Sequence, residues 1–212
     1  MLSVRSPSPF LTFAMVALAG AFVGVSGPMF LSADGVGHAL HLTLSAGWMY
    51  AAVAFFAGMV GMSKKRSAVM GVVSLVAAVI AYYLAKLEQG KFTQADLADH
   101  TGQTTYVAWG DMLSVMAFWC FVACLLGSLL GIAGNCSLSG PLHLPARLLV
   151  PTIAVYDTSN HLGDFGASSF EATVWGTTRV LAIAVIVAVV VHAIFSGRRR
   201  KSVRRPKNAK CP

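Results

Sequence analysis

The feature that most constrains this chain is its last apolar run, Trp175 to Phe195, and the cations behind it: Arg198, Arg199, Arg200, Lys201, Arg204, Arg205, Lys207 and Lys210. The run carries only Arg179 and His192 as ionisable groups. It is long enough to cross the hydrocarbon core of a bilayer as a helix. A basic cluster directly after such a run acts as a stop signal and places the C-terminus on the cytoplasmic side.

The rest of the chain has the same chemistry. With 56% hydrophobic and 11% charged residues it is too apolar for an ordinary soluble domain. Its 212 residues leave room for about five to seven crossings of about 20 residues each. The formal charge of +8 does not signal a nucleic-acid partner, because half of the 16 Lys and Arg lie in the tail. The tail is expected to be disordered over 198–212 and to meet anionic lipid headgroups, each cation contributing about 1 kcal/mol near the surface.

Apolar runs at 10–31, 42–62, 68–85, 106–133, 147–161 and 175–195 predict an all-α polytopic bundle of about six transmembrane helices. The first run has two readings. Arg5 and Ala19-Gly20-Ala21 resemble a secretory signal with a small-residue cleavage site. The length of the run, and Gly20, Gly24 and Gly27 at spacings suited to close helix contact, favour an uncleaved span. Pro28 is expected to kink or end it. Ala123, Gly127 and Gly131, each four apart, give the fourth run a similar packing face.

The fifth run is the short one, with about ten apolar residues where a crossing takes about 17 or more. Charge decides the count. With six crossings and both termini inside, thirteen Lys and Arg are cytoplasmic, including Lys64-Lys65-Arg66, and two, Lys86 and Lys91, are outside. If the fifth run did not cross, the Lys64-Lys65-Arg66 turn would fall outside, against the positive-inside rule. The acids Asp34, Glu88, Asp96, Asp99, Asp157, Asp164 and Glu171 then all lie on or near the outer face, and Asp111 lies just below it. A multi-pass protein of a bacterial inner membrane, its C-terminus cytoplasmic, is the expected location.

The stretch from Leu44 to Gly58 (Leu-Ser-Ala-Gly-Trp-Met-Tyr-Ala-Ala-Val-Ala-Phe-Phe-Ala-Gly), the run Gly71 to Leu84 and the Gly-rich Leu125 to Gly134 resemble a family of small bacterial integral membrane proteins of unknown function. The resemblance covers about half the chain through apolar and small residues. It implies a compact multi-span bacterial protein and carries no activity.

Asp111 and Arg179 are the sharpest functional candidates, because an ionisable side chain inside a span is costly and usually has a partner. They lie at similar depth below the outer surface, which permits an ion pair. The alternatives are that Arg179 snorkels outward while Asp111 caps its helix or meets interfacial water, or that they serve a substrate or proton site. Asp157 and His161 form the polar end of the fifth run. With His38, His41 and Asp164 they offer imidazole and carboxylate groups, although no tight metal motif is present, and neither metal nor cofactor is expected. Cys120 and Cys124 share a helix face and read as packing residues. No phosphate loop, nucleophile elbow or His-Glu-x-x-His motif supports an enzymatic reading.

Two functions fit these features. One is a protein that binds or transports a small solute from the outer face, near Asp111, Arg179, Asp157 and His161. The other is a non-transporting scaffold or accessory subunit whose small-residue faces meet a membrane-protein partner or a second copy.

Overall fold

The computed structural model describes residues 8–31, 34–95, 105–163 and 168–203, which form seven helices and one short hairpin. In chain order these are α1 (Pro9–Met29), α2 (Val36–Ser45), α3 (Gly47–Met59), α4 (Lys64–Glu88), β1 (Thr93–Ala95), β2 (Thr105–Val107), α5 (Trp109–Cys136), α6 (His143–Gly163) and α7 (Ser169–Val203). The chain is therefore helical, as expected. Helices α1, α4, α5 and the Ser169–Ser196 part of α7 are long and apolar enough to cross a bilayer, and α2 with α3 makes a fifth such unit if the bent pair counts as one crossing. Helix α6 has the length, 21 residues, but His143, Arg147, Asp157 and His161 dilute its apolar character.

The structure differs from the sequence expectation in three places. The second run is not one straight helix: α2 and α3 meet at 63°, with Ala46 extended between them. The connection between α4 and α5 carries an antiparallel pair of three-residue strands, Thr93 opposite Val107 and Ala95 opposite Thr105. The tail expected to be disordered from residue 198 begins as helix, since α7 runs on through Arg198–Lys201 to Val203. Asp96, Asp99, His100 and Asp164, and the tail from residue 204, lie outside the described residues.

Helix α4 is the centre. Lipid tails are as apolar as leucine, so helices in a bilayer associate through close packing rather than through hydrophobic exclusion from water. That favours small residues where backbones approach, and α4 has them on both faces. Against α1, a Cβ added at Gly20 would fall on the Ser74 carbonyl and one at Gly24 on the Ala78 carbonyl. Against α5, Gly71 faces the Gly127 carbonyl, and Gly131 faces the Ser67 carbonyl. Helix α3 joins the same knot, with Gly58 against the Gly131 backbone and Gly134 against the Phe55 carbonyl. The small-residue faces read from the sequence are thus occupied within this chain.

Polar contacts gather at the two ends of the bundle. At the end that holds the Lys64-Lys65-Arg66 turn, Asn135 Nδ2 donates to the Gly61 carbonyl at 2.8 Å and Arg147 Nε to the Ser137 carbonyl at 2.9 Å. Ser63 caps α4 there by accepting from Arg66 N. Three cations in the first turn of α4 oppose the helix dipole. At the opposite end α1 stops at Pro28-Met29, and its last carbonyls find donors from other helices. Gln89 Nε2 donates to Pro28 O and His41 Nδ1 to Gly27 O, both at 2.7 Å. Helices α6 and α7 pack on each other and reach the bundle through α3, α5 and α2. The apolar Ser169–Ser196 part of α7 is almost wholly exposed along its length, with Val180, Leu181, Ile183 and Val187 on the outside.

Candidate functional site

Helices α4 and α5 touch backbone to backbone where glycines face each other, at Gly71 with Gly127 and at Ser67 with Gly131. Further along α4, toward Glu88, glycine gives way to Leu75, Val79, Tyr82 and Tyr83, and the facing stripe of α5 is Trp119, Val122, Ala123 and Leu126. Interaxial distance follows the size of the side chains at the contact. Bulkier side chains thus replace glycine between the two helices there, and α3 begins only at Gly47, beyond the break. The space left among the three helices is a cavity of about 380 Å³, within the range of small-molecule pockets.

Its walls are Ser45, Gly47 and Tyr50 from the α2–α3 junction, the α4 stripe just named and the α5 stripe just named. No lining residue is charged. On α4 the residues stand at i, i+4, i+7 and i+8, and on α5 at i, i+3, i+4 and i+7, so each set shares one helix face. Ala123 is buried at the floor, in the core cluster with Ala51, Ala54, Leu75 and Leu130. Trp119 and Leu126, by contrast, are about half exposed on the outside of α5. Tyr82 and Tyr83 meet edge to face, and Lys86 Nζ lies 4.6 Å from the centre of the Tyr82 ring.

The cavity borders the break between α2 and α3, and the break is held by α6. Ala46 is the N-cap of α3 and offers no side-chain hydrogen bond, so the first N–H groups of α3 need another acceptor. Asp157 supplies it. Its carboxylate accepts from Trp48 N at 3.4 Å and stands 3.7 Å from where a Cβ on Gly47 would lie. A negative charge there also complements the helix dipole. His161, one turn on, places Nε2 4.0 Å from Asp157 Oδ1 and stacks on Trp175 of α7, with ring centres 4.3 Å apart. Trp175 is buried, whereas the Trp48 indole nitrogen is buried without a partner among the described residues. Asp157, His161 and Trp175 thus tie α6 and α7 to the break.

Replacing Asp157 by alanine is expected to leave the start of α3 without its acceptor. A hydrogen bond to a carboxylate contributes about 1.5–3 kcal/mol; this one is long and its carboxylate is partly exposed, so a loss of about 1 kcal/mol is expected. Thermal unfolding in lipid nanodiscs checks this, with Asp157→Asn falling by less than Asp157→Ala. Equal melting of all three proteins would show that the contact has no part in holding the break.

The sequence candidates separate into two groups. Asp157 and His161 come together at the break. Asp111 and Arg179 do not meet: no ion pair joins them among the described residues. Asp111 sits exposed in the first turn of α5, where it suits the helix dipole and accepts from Gln94 Nε2 of the hairpin at 2.9 Å, while Tyr106 Oη donates to Gln94 Oε1. Arg179 is exposed on α7, one turn past Trp175. His38 and His41 lie on α2, His38 with Nε2 3.6 Å from Glu171 Oε1. Among the described residues, no three His, Cys, Asp or Glu side chains stand close enough to hold a metal ion.

The cavity walls were the part sequence reasoning missed. Tyr50, Tyr82, Tyr83 and Trp119 are not among the candidates the sequence singles out. The available signal was a one-face helical spacing on two neighbouring runs, small to bulky along the first (Gly71 to Tyr83) and bulky to small along the second (Trp119 to Gly131), as antiparallel helices require.

Comparison with known proteins returns no matching family model, no matching curated protein and no matching solved structure. The resemblance to small bacterial membrane proteins of unknown function gains no support from it, and the chemistry of the site rests on its own geometry.

Proposed function

We propose that this is a six-crossing membrane protein, both termini cytoplasmic, that binds a small molecule in the outer half of its bundle. The observation that carries the reading is the cavity of about 380 Å³ among α3, α4 and α5, which lies beside a broken helix. Helices broken at membrane depth are tolerated where the free backbone is shielded or lines a cavity, and binding sites at such breaks recur in transporters. Here Ser45 and Gly47 stand on either side of the break and both face the cavity. Transport is the natural extension. It would require the α2–α3 joint, with its Asp157 contact, to move.

Six crossings are supported by the separation of contacts. The Lys64-Lys65-Arg66 turn, Asn135 and Arg147 gather at one end; Gln89, His41, Asp157 and Glu171 belong to the other. Helix α6 runs between the two, from Arg147 to Asp157. In a cysteine-free background, Ser139→Cys, before α6, is expected to react with a membrane-impermeant maleimide only from the cytoplasmic side, and Ser169→Cys, after α6, only from outside. Labelling of both from one side would remove the sixth crossing and, with it, the assignment of the cavity to the outer half.

Binding is tested by thermal stabilisation of the protein in nanodiscs against a panel of small solutes and lipids. A ligand at 100 times its Kd stabilises by about 2.7 kcal/mol, which such a melt resolves. Stabilisation that falls to about half or less in Ala123→Phe supports the cavity as the site. Stabilisation that persists undiminished in that variant moves the site elsewhere, and a panel without any stabilising compound removes the reading. The scaffold alternative loses its main support, since Gly127 and Gly131 are covered by α3 and α4 of the same chain.

A further inference from the structure

If the cavity is a binding site, as proposed above, its rim, walls and size also select the ligand. We infer that the occupant is an uncharged amphiphile with a single hydrocarbon chain, which enters sideways from the bilayer between α4 and α5, and not a solute that enters from the water.

The rim opens toward the bilayer. Trp119 and Leu126 are 45% and 50% exposed. They are the eleventh and eighteenth residues of the 28-residue α5. Their exposed neighbours Phe118, Phe121, Leu125 and Leu129 form a wholly apolar flank, which in a membrane faces acyl chains. The cavity's outer edge is therefore part of the lipid-facing surface.

The walls change chemistry along the helix axes: Tyr50, Tyr82 and Tyr83 stand at the outer level, and Leu75, Val79 and Leu126 below them. Tyrosine presents an aromatic face with a hydroxyl able to donate or accept, and none of these three hydroxyls has a hydrogen-bond partner among the described residues. That pattern fits a compact, hydrogen-bonding headgroup above a chain. A charged headgroup has no counter-ion among the lining residues, and Lys86 lies over the Tyr82 ring, outside the lining.

Size sets the third limit. Eight residues separate Leu75 from Tyr83, about 12 Å along a helix at about 1.5 Å per residue. A slot of that height and of about 380 Å³ takes part of one chain and a small head, not the two chains and bulky head of a phospholipid.

The test uses the full chain in phosphatidylcholine nanodiscs with a monoacylglycerol that carries a diazirine in mid-chain. Irradiation and peptide mapping locate the adducts. The inference expects adducts on cavity-wall residues of α4 and α5, competed by excess monooleoylglycerol but not by oleate. It expects competition to weaken about tenfold in Ala123→Phe and in Val79→Phe, with melting curves confirming that at least one of these variants folds. Adducts spread along Phe118, Phe121 and Leu125, or unaffected by competitor, overturn it. So does equal competition by oleate, which would show a site indifferent to charge. If a water-soluble compound from the solute panel stabilises the protein in a manner dependent on Ala123 while the lipid probe does not map to the cavity, the ligand class is wrong and the binding site stands.

Discussion

Leucine at Gly131 is expected to cost this protein its fold. Gly131 is the point where three helices meet: its own added Cβ would fall on the Ser67 carbonyl of α4, and its backbone is already the surface against which Gly58 of α3 and Gly71 of α4 pack. An added side chain cannot turn aside, because the atoms it meets are backbone. Overpacking in well-packed cores costs about 1–3 kcal/mol, and more where backbones have to separate, so a loss of about 3 kcal/mol or more is expected. Folded protein recovered in mild detergent, judged by size-exclusion profile and melting curve, checks it. Gly110→Leu serves as control, since nothing lies within 4 Å of its added Cβ. Wild-type stability in Gly131→Leu would mean that α3, α4 and α5 do not meet where the glycines place them.

Phenylalanine at Ala123 is expected to weaken binding by about tenfold or more while the fold survives. Ala123 is 4% exposed and faces both the core cluster and the cavity, so a new ring has one direction in which to grow. Filling the cavity gains van der Waals contact and offsets part of the strain of a larger side chain. The stability cost is therefore expected at the low end of the about 1–3 kcal/mol that overpacking ordinarily takes. Ligand affinity is expected to fall by about tenfold or more, or about 1.4 kcal/mol, as read by the ligand-induced shift in melting temperature. A stable Ala123→Phe that binds as well as the native protein would exclude the cavity as the site.

The contrast between these two positions shows what was legible in the sequence. Gly20, Gly24, Gly127 and Gly131 could be picked out because a bilayer rewards small residues at helix contacts, and the spacing that marks a packing face is local to each run. Which helices they join is not local. Gly127 and Gly131 read equally well as a face for a partner protein, and only the three-dimensional arrangement gives that face to α3 and α4. The cavity depends on the relative position of three helices, so no single run shows that Tyr50, Tyr82, Tyr83 and Trp119 line one space.

The same distinction separates Asp157 from Asp111. Both were legible as unusual carboxylates. For Asp111 the explanation is short-range: a first-turn acid beside a hairpin that supplies Gln94. For Asp157 the partner is 109 residues away, at Trp48. Its role depends on the break at Ala46, which the continuous apolar run 42–62 conceals. Apolar character reports the solvent of a segment, not the straightness of its helix. Arg179 stays exposed on α7, where its long stem is able to carry the guanidinium toward the interface.

A density map of the protein in a lipid nanodisc, after purification from its membrane, tests the bundle and its cavity together. The expected map has α4 in backbone contact with α1 and α5 through the glycines, α3 starting at Gly47, and elongated non-protein density between Tyr82 of α4 and Trp119 of α5. A map in which α4 and α5 stay in contact along their full length, closing the space between Tyr82 and Trp119, would contradict it.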